Sequence, residues 1–267
     1  MRKLVIILIA SFLIFSASAA MAQTFIDNTI YWSGWGNATS GDNTNDTIGI
    51  PDFKGGSATV TNGRLTNLTF DRQVQSGYNS LWWVLSPGDL FIDLGANQTW
   101  DRVVDLTLTT SWTVSSPSDS DAGPGNYNIY SISLPLNIAN GYTNGYIFSG
   151  KDGTNGWSGY NIRDDHPVAV TTDLLTSSIG SVSFSGWKAN GDAYDYLTTQ
   201  YTFNLAGLNG GGLDLGTSGQ FTIGWAPNCA NDVIYNTLTY TPIPEPASFA
   251  LLGLGLLGLA GLRKRNS

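Results

Sequence analysis

The sequence predicts an all-β protein: an antiparallel, jelly-roll-like β-sandwich flanked by an N-terminal signal helix and a C-terminal hydrophobic helix. Three observations carry this expectation. Glu, a helix former, is missing from residues 23–243, where nineteen Asp join abundant Asn, Gly, Ser and Thr, the residues of turns and sheet edges. Short stretches rich in β-branched and aromatic residues recur between Gly, Asn and Asp turns. In "TVTNGRLT", Asn62-Gly63 stands between two alternating runs, the strongest local signal for a hairpin with a type I′ turn.

Taken in chain order, the elements begin with Arg2 and Lys3 ahead of an apolar run from Leu4 to Phe15. The small residues Ser16 to Ala22 follow and offer Ala20-Met21-Ala22 as an Ala-x-Ala cleavage box, so residues 1–22 read as a secretory signal peptide with a mature start at Gln23. The apolar run is well short of the roughly 20 residues of a spanning helix. The expected strands are "SATVT", "RLTNLTF", "LFIDLG", "RVVDLTLTTSWTV", "YNIYSISLPL", "GYIFSG", "PVAVTT", "SVSFSGW", "YLTTQYTFNL", "FTIGWA" and "VIYNTLTY". Residues 23–243 are enough for one sandwich with a full core, and strands without helices must hide their apolar faces against one another. With 9 Trp and 12 Tyr, the chain holds far more buriable aromatic area than disordered sequences do. No repeat of fixed period marks a propeller or β-helix.

Charge and residue inventory exclude several functions. Residues 23–243 carry seven Lys and Arg against nineteen Asp, a formal charge of −12, which argues against nucleic acid or anionic lipid as a partner. Cys229 is the sole cysteine, so no intramolecular disulfide forms, and it reads as a small buried side chain. His166, in "RDDHPVAV", is the sole histidine and reads as a turn residue bonded to a neighbouring carboxylate. No Gly-x-Ser-x-Gly elbow accompanies it, and "GWSGY" is one residue too short. A multi-His zinc site is excluded by count. Carboxylate pairs for glycoside hydrolysis are left to geometry, and a domain whose Asp residues all lie near turns makes a glycan-directed hydrolase the third reading. No catalytic residue and no cofactor is expected.

Two kinds of binding site are candidates. Oxygen-rich loops suit calcium: "GDNTNDT", with Asp42, Asn43, Asn45 and Asp46, and "SDSDAG", with Asp119 and Asp121. Both lack the Gly and Glu of an EF-hand loop, and loop solvation explains them equally well. The aromatic count points to stacking on sugar rings. In Trp82-Trp83 adjacent side chains on a strand face opposite ways, so one ring is left outward, and Trp32 and Trp35 in "YWSGWGN" sit among loop-forming glycines. Core packing is the ordinary fate of any one Trp.

The C-terminus is the most specific segment. Pro244-Glu245-Pro246 holds the only Glu of the chain, Ala247 to Leu262 is an uncharged Leu- and Gly-rich run, and Arg263, Lys264 and Arg265 follow. As a helix the run spans roughly 24 Å, barely a bilayer. The basic cluster stays on the cytoplasmic side, a stop-transfer layout. These three parts in this order resemble the PEP-CTERM family. The resemblance implies that residues 244–267 are a sorting segment, that Pro244, Glu245 and Pro246 are a processing site, and that an exosortase removes the tail in a Gram-negative bacterium that makes exopolysaccharide. It also implies export machinery and transient membrane insertion as partners. Two patches, Gly88 to Asp105 and Phe221 to Ile234, resemble sequences of exosortase-dependent surface proteins, though far less specifically.

The function expected from the sequence is therefore a non-enzymatic exported protein, held at the inner membrane as an intermediate and then placed at the outer surface or in the exopolysaccharide matrix. A carbohydrate-binding module for that exopolysaccharide is the alternative.

Overall fold

The computed structural model describes residues 20–29, 52–72, 87–106, 125–135, 147–149, 167–170, 174–186, 200–226, 232–242 and 253. Thirteen strands make up its elements, and no helical element occurs among the described residues. The first five are β1 (Ala20–Phe25), β2 (Phe53–Thr61), β3 (Arg64–Arg72), β4 (Leu90–Leu94) and β5 (Thr99–Val104). The middle of the chain forms β6 (Gly125–Pro135), β7 (Ile147–Ser149), β8 (Pro167–Val170), β9 (Ser178–Ser185) and β10 (Gln200–Asn204). The last are β11 (Leu213–Asp214), β12 (Gln220–Trp225) and β13 (Ile234–Thr239).

Each of the eleven expected stretches overlaps a strand. The β2–β3 hairpin turns at Asn62 and Gly63 with φ of 53° and 68°, so both central residues adopt the left-handed conformation a type I′ turn requires. Two strands are additions. β11 has only two residues, too few to leave a pattern, and β1 falls across the residues read as the cleavage box.

The architecture corrects the expected jelly-roll sandwich. One 11-stranded antiparallel sheet runs in the order β1-β2-β3-β10-β9-β6-β5-β4-β12-β13, with β11 added beside β3, and it curls until it is nearly closed into a barrel. A sheet this wide buries its apolar face by twisting back on itself, which removes the need for a second sheet of equal size. The segment after β1 meets β13, and the start of β2 meets the residues ahead of β13. Thr29 Oγ1 donates to the Tyr235 carbonyl and accepts from the Tyr235 amide, both at 3.3 Å, and the Phe53 amide donates to the Asp232 carboxylate.

Inside the barrel, Trp225 is fully buried at the centre of an aromatic cluster. Its ring centroid lies 4.7 Å from Phe70, 5.1 Å from Phe53, 5.4 Å from Tyr201 and 5.5 Å from Phe203. A second core lies on the outer face of β4, β5 and β6, where Phe91, Trp100, Val103, Ile132 and Leu134 pack with Ala169 and Val170 of β8. β7 and β8 pair as a separate two-stranded sheet, so over this part of the barrel a layered arrangement does exist.

Candidate functional site

The residues nominated from the sequence all fall outside the described residues. This holds for the calcium candidates Asp42, Asn45, Asp46, Asp119 and Asp121, for the aromatic candidates Trp32, Trp35, Trp82 and Trp83, and for His166 and Cys229. It holds equally for Pro244, Glu245, Pro246, Arg263, Lys264 and Arg265 of the tail. Among the described residues no three His, Cys, Asp or Glu side chains are grouped as metal ligands. Two tryptophans are described, Trp100 and Trp225, and both are core residues at 1% and 0% exposure.

The two sequence patches from Gly88 to Asp105 and from Phe221 to Ile234 come together. The first is the β4–β5 hairpin, the second holds β12 and the start of β13, and β12 pairs with β4 from Phe221↔Leu94 to Gly224↔Phe91. Trp225 Nε1 donates to the Gly88 carbonyl at 2.9 Å, and the Gly88 amide donates to the Ala226 carbonyl at 2.9 Å. These patches build the centre of the fold.

Their acids are used as backbone acceptors. The Asp89 carboxylate, wholly buried, accepts from the amides of Leu106 and Val170, each at 2.9 Å, and so ties β8 to the main sheet. Asp93 accepts from the amides of Asn97 at 3.1 Å and Gln98 at 2.9 Å, holding a tight turn in which Ala96 and Gln98 have φ of 51° and 68°. Positive φ at non-glycine residues is strained, and the carboxylate secures it. Burial pushes the Asp93 carboxyl above its ordinary value, with the two amide bonds pulling it back. The Tyr235 phenol is raised as well, first by burial and then by the negative charge of Asp93, against a hydrogen bond with Thr222. Asp101 caps the same hairpin by accepting from the Leu94 amide at 2.7 Å.

A different surface carries rows of polar side chains, among which Thr69 is buried and bonded to Ser57. On the outer face of β1, β2, β3, β10 and β9, the register aligns Thr24, Ser57, Thr69, Thr202 and Ser185 in one row across the sheet. The next row holds Ala22, Thr59, Asn67, Asn204 and Ser183, and continues to Asn126 on β6. All but Ala22 are hydroxyl or amide side chains, and neither row contains a charge. At about 4.8 Å per strand the longer row is roughly 24 Å wide. Asn204, Ser183, Ser185 and Asn126 are exposed. The sequence shows this face as period-2 alternation, "SATVT" and "SVSFS" among others, yet alternation marks any half-buried strand and does not single out a binding surface.

The tail gives the class: an exported protein that carries its own sorting signal. Residues 242–265 match the family model described as the PEP-CTERM protein-sorting motif, so the chain carries a PEP-CTERM sorting motif. With that motif come export, membrane-associated sorting toward the cell surface and an exosortase as processing partner. No curated protein and no solved structure matches the chain.

Proposed function

We propose that this is a non-enzymatic, exported structural protein of the outer surface or exopolysaccharide matrix, needing no cofactor. Its parts are a cleaved leader, a β domain that ends at residue 243 and a sorting segment over 244–267 that the exosortase removes. The observation that carries this reading is the match of residues 242–265 to the sorting motif. A role without catalysis is supported by the use of Asp89 and Asp93 as backbone acceptors, since a carboxylate committed to two amides of its own fold is not poised for proton transfer. Mass spectrometry of surface protein from the native host tests the processing step. The expected C-terminus lies near Pro244, and intact "RKRNS" peptides as the dominant extracellular form would overturn it.

Glycan binding is the second reading, and the uncharged rows across β2, β3, β10 and β9 favour it. In a strongly acidic domain, two adjacent rows of hydroxyls and amides, bordered by Asp71 in the next row, complement a neutral polyhydroxylated chain, to which they offer both donors and acceptors. Such a shallow face gives weak single contacts that add along a polymer, with dissociation constants of about micromolar to millimolar. The expected result is retardation in gels containing the host's exopolysaccharide. The substitution Ser183→Asp should abolish retardation with little change in melting temperature, because the side chain is exposed. Unchanged retardation in that variant would remove this face as the site.

A further inference from the structure

The segment read as the end of the leader contains two Ala-x-Ala boxes, Ala17-Ser18-Ala19 and Ala20-Met21-Ala22, three residues apart. Cleavage after the first starts the mature chain at Ala20, and cleavage after the second starts it at Gln23. By sequence pattern both qualify.

The fold distinguishes them. β1 includes Ala20, which lies opposite Thr61, the last residue of β2 before the Asn62-Gly63 turn. The pairs Ala20↔Thr61, Met21↔Val60 and Ala22↔Thr59 are three of the six that join β1 to β2. Met21 falls on the same side of the sheet as its partner Val60, which is 3% exposed and belongs to the barrel core, while Met21 itself is 36% exposed at the rim. A chain starting at Gln23 strips the β1-side partners from Thr59, Val60 and Thr61 and leaves that stretch of β2 as an open sheet edge, paired only with β3. A chain starting at Ala20 keeps all six pairs, from Phe25↔Gly56 to Ala20↔Thr61.

We infer that the export pathway's signal peptidase hydrolyses the Ala19–Ala20 bond, so that Ala20-Met21-Ala22 is the first half of a structural strand and not the discarded box. Water adds across this amide. The leader leaves with the new carboxylate of Ala19, and the mature chain keeps the new α-ammonium of Ala20 beside the end of the β2–β3 hairpin. Cleavage acts on the unfolded chain during export, so the fold does not steer the protease. What the fold shows is which residues the mature protein uses.

This inference rests on the export reading, and one experiment separates the two. The full-length gene is expressed in a Gram-negative host, and the exported protein is analysed by intact mass and by sequencing of its N-terminal peptide. The expected terminus is Ala20-Met21-Ala22-Gln23. Ala19→Leu should abolish processing at this bond, whereas Ala22→Leu, three residues past it on the exposed side of β1, should leave the extent of processing unchanged. A terminus at Gln23, free or cyclised, or loss of processing in Ala22→Leu, overturns the cleavage site and leaves export intact. A protein that retains Met1 to Ala19 in every fraction overturns both.

Discussion

Replacing Trp225 with Ala should lower the free energy of unfolding by about 3–5 kcal/mol, the usual range for removing a large aromatic side chain from a core. The upper part of that range is expected, because the indole of β12 is at 0% exposure and meets Phe53, Phe70, Tyr201 and Phe203 of the adjoining strands β2, β3 and β10. The same substitution removes the bond from Nε1 to the Gly88 carbonyl, which then stays buried without that donor. Trp225→Phe separates the two effects, since it keeps most of the ring contact and loses the bond, and should cost about 1–3 kcal/mol. Urea denaturation of the purified domain checks both. A loss below about 1 kcal/mol for the alanine variant would mean that the barrel interior does not depend on this hub.

The strands were legible because their signals are local. Alternation in "SATVT" and "RLTNLTF", and the Asn62-Gly63 pair between them, specify β2, β3 and their turn without reference to the rest of the chain. The closing of the sheet was not legible, because period-2 alternation says that a strand has a buried face and says nothing about what covers it. A sandwich and a nearly closed barrel share that alternation, and they differ only in which distant strands pair. β1 was missed for another reason: "AMAQTF" has small and polar residues in a place where a cleavage box is also expected, and the box reading absorbed it.

Acids were read as turn residues, and Asp93 is one. Asp89 and Asp232 are not, since they reach amides 81 and 179 residues away, at Val170 and Phe53, which no local pattern reveals. Tryptophans were nominated as a platform by doublets and by glycine neighbours, and those four positions lie outside the described residues. What the described residues add is the opposite lesson, because Trp100, near the start of β5, and Trp225, at the end of β12, are the two largest fully buried side chains among them. The polar rows on β2, β3, β10 and β9 were visible as the outward half of each strand. Only register turns them into a continuous face, and register is a property of pairs of strands.

Asp89→Ala should cost roughly 2–6 kcal/mol, because it leaves the Leu106 and Val170 amides buried without their carboxylate, at about 1–3 kcal/mol for each unsatisfied donor. The two amides belong to different layers. Leu106 follows β5 in the main sheet and packs into the barrel core, whereas Val170 closes β8, which packs on the outer face over Phe91, Trp100 and Val103. Asp89 is thus the polar link between the barrel and the layer above it, at a position where the sequence holds the second outer patch against water mainly by apolar contact. Asp89→Asn keeps one acceptor and turns an amide donor toward the other N–H, so it should fall between the wild type and the alanine variant. Hydrogen exchange gives the local readout: in Asp89→Ala the Val170 amide should exchange much faster, while amides in β2 and β3, remote from the link, should change only with the global stability. If Val170 exchange accelerates no more than that of the distant strands, the layer is held by its apolar contacts alone, and Asp89 serves the β5 end of the barrel.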